Sequence, residues 1–360
     1  MKNIPLARIH LDDEMRAAAH AAIESGRYIL ADECAAFEEE LARYIGMKHC
    51  VLSSSWTAAV YLLHMAMGVK AGDEIIVPSH TAFPTIEPLI HLGARPVFVD
   101  VDDTYCVDPA AVEAAITPRT VGMIPVHLYG HPANLDRLLA IARGRGIWLL
   151  EDCAQSFGAN YNGKRAGSFG TASAFSFYPT KNQTVLGDGG CIMTNDAAVA
   201  QRVRMLRDHG RKSKYTHELV GFNLRFNEIQ AAVGRVMLRQ IDALNAHRRT
   251  VAARYNERLA GIAQTPAERD FGEAVYHLYV IRHAQRDALA KHLADHGVAT
   301  GVHYPIPNHQ QPAITARFSD LPRLPRTEAL VSEILSLPVY GDLALEDVDY
   351  VCEQIAAFRG

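Results

Sequence analysis

The pattern of apolar and polar positions divides the chain into short apolar runs separated by amphipathic stretches. Residues 12–25 and 34–45 repeat apolar positions at helical spacing, with Asp12 placed to cap the first and Gly26 and Gly46 placed to stop the two. From residue 49, runs of strand length at 49–52, 74–78, 95–99, 120–126 and 147–151 alternate with helical patterns at 57–68, 84–91, 109–116 and 134–144. That alternation predicts an α/β fold, a mostly parallel sheet sandwiched by helices. Runs at 172–178 and 190–194 extend the sheet, and a helix is expected at 197–208.

A long helical pattern runs from Asn227 to about Leu259, without Gly or Pro after Gly234. The domain boundary is expected inside it. Residues 1–245 form a large domain with an N-terminal helical segment, and 246–360 form a small α+β domain. The small domain should hold strands at 275–282 and 298–303 and helices at 286–296, 326–334 and 345–357. At 360 residues the chain is too long for one ordinary core, which agrees with two domains.

Composition narrows the function classes. Apolar residues are 49% and charged residues 21%, and 36 Lys plus Arg against 40 Asp plus Glu give −4. Nothing in that balance calls for nucleic acid or an anionic membrane. No apolar run is long enough to span a bilayer, and the N-terminal residues lack the apolar stretch of a signal peptide. The six cysteines include no CxxC pair, so neither a zinc nor a thioredoxin-like motif is present. A reduced, cytoplasmic protein is expected. Gly187-Asp-Gly-Gly190 lacks the third glycine of a dinucleotide fingerprint, which would fall at Ile192. There is no Walker motif and no HExxH, and His127, His131, His209 and His303 are not at metal-ligand spacing, so no metal is expected.

The candidate chemistry lies at strand ends. The apolar strand 172–178 runs into Pro179, and Lys181 stands just beyond it with a glycine-rich turn behind. A lysine held among apolar neighbours loses ammonium hydration, so its pKa falls and its amine becomes nucleophilic. This is what a Schiff-base lysine needs. Asp152 ends the apolar strand 147–151, 29 positions upstream. It suits either an N-cap for the next segment or the carboxylate that keeps a pyridine nitrogen protonated in pyridoxal 5'-phosphate (PLP). In open α/β sheets such groups collect at the carboxyl ends of strands. Ser53-Ser-Ser-Trp-Thr57 opens a helix and suits either capping or a phosphate, and Ser176 could add another phosphate contact. Six cations between Arg202 and Lys214 suit either a solvated helix face or a diphosphate pocket. His209 suits a helix C-terminus or a substrate pocket.

Taken together, these residues resemble the DegT–DnrJ–StrS family of PLP-dependent sugar aminotransferases, over nearly the whole chain. The segments that carry the likeness are Gly72-Asp-Glu-Ile-Ile-Val-Pro-Ser79, Pro96-Val-Phe-Val-Asp100, Val126-His-Leu-Tyr-Gly130 and Glu151-Asp-Cys-Ala-Gln155, followed by Phe175-Ser-Phe-Tyr-Pro-Thr-Lys-Asn182, Gly221-Phe-Asn-Leu-Arg225 and Tyr304-Pro-Ile-Pro307. The resemblance implies PLP-dependent transferase fold type I and a homodimer with shared active sites. It implies that Lys181 carries the cofactor, that Asp152 holds the pyridine nitrogen, that Gln155 packs beside the ring, and that Thr57 and Ser176 bind the phosphate. Asn223 would reach the phosphate of the neighbouring subunit. Trp56 stands where the family often has Gly, and still offers a backbone N–H. Ala82 stands where the family commonly has a stacking aromatic, for which Phe83 or His80 could substitute. The activity implied is transfer of an amino group from glutamate or glutamine to a nucleotide-linked keto sugar in amino-sugar biosynthesis. A PLP-dependent sugar dehydratase or lyase, or a PLP-binding regulator without turnover, are the alternatives.

Overall fold

The computed structural model describes residues 2–359. Seven strands form the central sheet: β1 (His49–Ser53), β2 (Glu74–Pro78), β3 (Arg95–Val99), β4 (Thr120–Met123), β5 (Trp148–Asp152), β6 (Ala172–Ser176) and β7 (Gly190–Thr194). Their order is β1-β7-β6-β5-β4-β2-β3. The run from β6 to β3 is parallel, while β7 lies antiparallel to both β6 and β1. The sheet is therefore mostly parallel, as the alternation predicts, with one reversed strand near its edge. That reversal matters. Gly190 at the start of β7 pairs with Ser53 at the end of β1 and with Ser176 at the end of β6. Asp152 ends β5 opposite Ala174. One rim of the sheet thus gathers the strand-end residues singled out in the sequence.

Helices cover both faces. Strand side chains alternate, so Ile75 and Val77 pack on one side with Leu62 and Leu63 of α3 (Trp56–Ala66). On the other side Leu52, Phe175 and Met193 meet α1 (Asp13–Glu24) and α2 (Asp32–Ile45) through Met15, Phe37 and Leu41. The first N–H groups of α2 lack a side-chain cap of their own. Glu228 supplies one from a distance, accepting from Ala31, Glu33 and Cys34 at 2.7, 2.8 and 3.0 Å. Gly46 closes α2 at φ 87°, a conformation other residues adopt only with strain.

The long pattern after Asn227 is one helix, Glu228–Arg258, capped by Asn227. Its first half packs under the sheet through Ala231, Val233 and Met237, and its second half packs into a separate core through Val251 and Tyr255. That core holds Tyr279–Arg282 paired antiparallel with Ile334–Leu337, and the helices Arg286–Asp295 and Leu345–Ala357. It also takes in Ile4 from the N-terminal segment, which bridges Val298.

Several expectations are corrected here. Residues 298–303 do not form a strand; Val298 and Gly301 make only isolated bridges, one to Ile4 and one to Ser336. The helix expected at 326–334 is Pro325–Leu330, and the next residues form the strand Ile334–Leu337. Periodicity cannot separate a short buried strand from a helix turn when both are apolar. The strand expected at 120–126 stops at Met123, with Val126 bridging Asp152. A hairpin, Arg211–Ser213 with Thr216–His217, interrupts the cation-rich stretch.

His64 lies fully buried in α3, its ring 5.7 Å from that of Trp148, with neither nitrogen hydrogen-bonded among the described residues. Burial pushes its pKa down to about 3. The unfolded group titrates near the ordinary 6.5, so the unfolded chain binds the extra proton, and stability is lost as pH falls from about 6.5 toward 3. His64→Leu keeps the volume and removes two unpaired nitrogens. We expect it to raise Tm by about 1–3 °C at pH 7, from roughly 1 kcal/mol of relieved desolvation. The gain over wild type should grow as pH is lowered to 5. A Tm that drops, or a gain independent of pH, would show that His64 is held by something other than apolar packing.

Candidate active site

A cavity of about 270 Å³ opens at the rim where β1, β5 and β6 end. Lys181, Asp152, Gln155, Ser176, Thr57 and Trp56 all line it. Asn223 does not: it is exposed, and it bridges Asp208 through its backbone. Six of the seven residues predicted for the site are therefore brought together within one chain.

Asp152 is buried at the carboxyl end of β5. Its Oδ1 accepts from the Ala154 N–H at 3.0 Å and its Oδ2 from the Thr85 hydroxyl at 3.0 Å. Burial raises its pKa, and those two hydrogen bonds and the Lys181 ammonium oppose the rise. Behind it, Glu151 accepts three N–H groups of the following turn, from Gly167, Phe169 and Gly170, each at 2.7 Å. His127 donates to Glu151 from Nε2 at 3.1 Å, because its Nδ1 already accepts from Ala133. This network, together with Cys153, forms a tight buried group of potential ligand atoms. Its atoms from His127 and Glu151 are spent on protein partners.

Lys181 follows Pro179, which ends the extension of β6, and its N–H closes a turn onto the Tyr178 carbonyl at 2.8 Å. Desolvation lowers its pKa to about 8, and the Asp152 carboxylate pulls the other way. The N-terminus of α3 also faces the cavity. Ser55 caps the helix by accepting from Ala58 at 3.1 Å, which leaves the Trp56 and Thr57 N–H groups without a carbonyl partner among the described residues. Gly190 sits so close that a side chain there would lie 2.6 Å from the Trp56 nitrogen. The glycine turn is therefore what lets β7 approach the helix end.

Gln155 is fixed from both sides. Its Oε1 accepts from the Tyr129 N–H at 2.7 Å, and its Nε2 donates to the Tyr304 hydroxyl at 3.0 Å. Tyr129 in turn donates its hydroxyl to the His303 carbonyl and accepts from His80 Nε2 at 2.7 Å. His80 is thus a buried bonding partner of Tyr129. Neither His80 nor Phe83 lines the cavity, whereas Ala82 does. The side chain of Trp56 packs in the core between sheet and helices, with its Nε1 unpartnered among the described residues. Sequence reasoning missed Thr85, Tyr129, Tyr178 and Asp188. Asp188 lay in the quoted glycine turn, and Tyr129 and Tyr178 in quoted segments without a role, but Thr85 carried no signal beyond its type.

The cations of 202–214 do not form one pocket. Arg204 and Arg207 are drawn inward to Glu38, at 2.6 and 2.7 Å, and to the carbonyls of Cys50 and Leu52. Lys212 pairs with Glu218 on the hairpin. His209 follows the helix Ala197–Arg207 at φ 60°, its N–H on the Phe222 carbonyl at 2.7 Å.

The site fits PLP by its donor set. Helix N–H groups and hydroxyls that suit an anion, a buried carboxylate and a desolvated amine line one cavity, and apolar Ala82, Ala154 and Val126 form walls. The fold and these residues define an α/β aminotransferase. Residues 10–356 match the model of the DegT/DnrJ/EryC1/StrS aminotransferase family, and the chain belongs to it. It is 44% identical over 358 residues, 99% of this chain and 98% of the relative, to the erythromycin biosynthesis sensory transduction protein EryC1 of Saccharopolyspora erythraea. It is 42% identical, over 95% of this chain and 93% of the relative, to the dTDP-3-amino-3,4,6-trideoxy-alpha-D-glucose transaminase of Streptomyces venezuelae. The crystal structure of S. venezuelae DesV in complex with a ketimine intermediate superposes with a TM-score of 0.96 at 39% identity, covering all of both chains. Neighbouring structures include PLP and PMP forms.

The lowered pKa of Lys181 can be read directly. In cofactor-free protein, the rate at which PLP couples to Lys181 should rise with pH through about 8, since only the neutral amine reacts. Asp152→Asn removes the charge that favours the ammonium form, so the midpoint should move lower. Stopped-flow absorbance against pH gives both values. A midpoint near 10 in wild type, or one unmoved by Asp152→Asn, would show that the two groups do not interact.

Proposed function

We propose that this chain is a PLP-dependent aminotransferase that moves an amino group from glutamate or glutamine to a nucleotide-linked keto sugar in amino-sugar biosynthesis. The observation that carries it is the desolvated Lys181 amine in one cavity with the buried Asp152 carboxylate and the open N-terminus of α3. Bound there, PLP supplies an aldehyde for the lysine and an electron-withdrawing ring. Asp152, held by Ala154 and Thr85, keeps a proton on the ring nitrogen. Trp56 and Thr57 N–H groups and the Ser176 hydroxyl hold the phosphate. Lys181 Nζ, once freed, takes the proton from the α-carbon of the amino donor as general base and then acts as acid. Gln155, locked between Tyr129 and Tyr304, packs beside the ring.

Lys181 favours amino transfer over the dehydratase alternative, because a base that is also an amine can exchange with the donor. The regulator reading finds support in the name of EryC1. Addition of glutamate separates the readings. The visible band of the purified holoprotein should shift to that of the pyridoxamine form, and Lys181→Ala should lose more than 10³-fold in turnover. A band that glutamate leaves unchanged would overturn amino transfer.

We place the site in a homodimer, and the protein in the cytoplasm. Among the described residues no helix is long and apolar enough to cross a membrane. Asn223 is exposed and stands outside its own chain's cavity, which supports its acting on the partner's cofactor phosphate. We divide the chain near residue 245, where the long helix passes from one core to the other. Mixing tests the shared site. Lys181→Ala and Asn223→Asp should each be nearly inactive, the second because a carboxylate would face a phosphate. After co-refolding in equal amounts, about half the dimers should be mixed, each with one intact site, so activity should recover to roughly a quarter of wild type. If mixed dimers form and stay inactive, Asn223 serves its own chain.

A further inference from the structure

The residue after Lys181, Asn182, is buried and does not line the cavity. Its Nδ2 donates two hydrogen bonds, to Asn245 Oδ1 at 2.7 Å and to the Val275 carbonyl at 3.0 Å. Asn245, also buried, lies on the long helix Glu228–Arg258 and donates from its own Nδ2 to the Phe157 carbonyl at 3.0 Å. A carbonyl can only accept, so the Phe157 contact fixes which end of the Asn245 amide is nitrogen, and Asn182 must donate to the other end. Four segments therefore meet at one amide pair. They are the lysine turn, the stretch that follows Asp152 and Gln155, the long helix, and Val275 just ahead of the strand Tyr279–Arg282 of the C-terminal core.

The surroundings are fitted to this pair. Gly158, next to Phe157, takes φ 89°, and a side chain there would come within 2.5 Å of Asn245 Nδ2. Glycine is what allows the approach. Arg248, one turn along the helix from Asn245, donates to the carbonyls of Tyr276 and Val339, both at 3.1 Å. The consecutive carbonyls of Val275 and Tyr276 are thus held by Asn182 and by the helix. Asn182 Oδ1 is buried without a partner among the described residues. A leucine would fill a similar volume without stranding an acceptor, but it could not fix the direction of the chain at Lys181. Between the lysine turn and the helix lies a gap of about 20 Å³, with Pro179, Lys181, Asn182 and Arg248 in its wall. That is room for about one water.

We propose that Asn182 and Asn245 are positioning residues for Lys181, holding its turn against the long helix and the C-terminal core so that the amine stays dry and near the Asp152 carboxylate. The inference rests on the reading of Lys181 as the lysine that carries the cofactor. Neither amide touches the reacting atoms, and their effect passes through the backbone of one residue. With the pair broken, the turn is free to shift and the gap beside it can widen to admit water. Desolvation is the larger of the two effects on Lys181, so hydration should raise the pKa of the amine even as Asp152 recedes. A displacement of about 1 Å at a catalytic group costs on the order of 10²-fold in rate.

The test uses the full chain with Asn182→Ala, Asn245→Ala and the double variant, and Tyr279→Phe as a structural control. Tyr279 donates to Asn256 Oδ1 at 2.6 Å, so it also ties the C-terminal core to the long helix, but it lines none of the cavities that Lys181 borders. Each variant should lower Tm, because each leaves a polar group without its partner. In cofactor-free protein, the pH midpoint for coupling of PLP should rise by about one unit in the Asn variants and stay at the wild-type value in Tyr279→Phe. In the holoenzyme, single-turnover conversion by glutamate should lose roughly 10-fold or more in limiting rate in the Asn variants, with the half-saturating concentration within about 3-fold of wild type. The double variant should change little more than either single one, because the two share a bond. Where an alanine variant does not fold, Asn182→Ser and Asn245→Ser are read in the same way. An unmoved midpoint in the Asn variants, an equal shift in Tyr279→Phe, or additive effects in the double variant would overturn the proposal. A borohydride label on a lysine other than Lys181 in wild type would instead sink the reading beneath it, which separates the two failures.

Discussion

The Lys181 ammonium and the Asp152 carboxylate face one cavity, and each holds the other's charge in a place where water would otherwise do so. Desolvation draws the lysine toward its neutral form and the aspartic acid toward its protonated form, and their mutual attraction resists both. Each charge therefore depends on the presence of the other. A cationic ring nitrogen beside Asp152 would strengthen the carboxylate. It would also leave the lysine freer to act as an amine. Much of the remaining structure serves to keep these two groups where they are.

Asp152 is the end of a parallel strand, so its backbone is fixed by β4 and β6 on either side. Behind it Glu151 gathers the turn at 167–170, and His127 braces Glu151. The reversed strand β7 brings Gly190 against the start of α3, so the helix N-terminus can end at the cavity. Tyr304 and His303 then border the lysine, tied to the sheet by Gln155 and Tyr129. The long helix Glu228–Arg258 joins both cores as one rigid element. The family and its aminotransferase chemistry follow from this arrangement and from the relatives that share it.

The parts legible in the sequence are those with a local cause. Asp12 and Asn227 cap helices with their own side chains, Gly46 stops one, and each was readable from a few neighbouring residues. Lys181 and Asp152 were readable because each follows an apolar strand. The parts that were not legible depend on distant partners. Arg204 and Arg207 looked like a phosphate pocket or a solvated face, but Glu38, more than 160 positions away, takes both. The antiparallel sense of β7 cannot be read from its own residues. Residues 298–303 looked like a strand and found only isolated partners. Thr85 supports Asp152 from the end of the one-turn helix Phe83–Thr85, whose sequence gives no hint of it.

The central claim is that one lysine, at the end of β6 and within reach of Asp152, carries the cofactor. Borohydride reduction of the purified holoprotein fixes the cofactor to whichever amine holds it, and peptide mapping by mass spectrometry then locates the label. A pyridoxyl group on Lys181, at close to one per chain, is the expected result. A label on Lys164 or Lys212, both outside the cavity, would contradict the account.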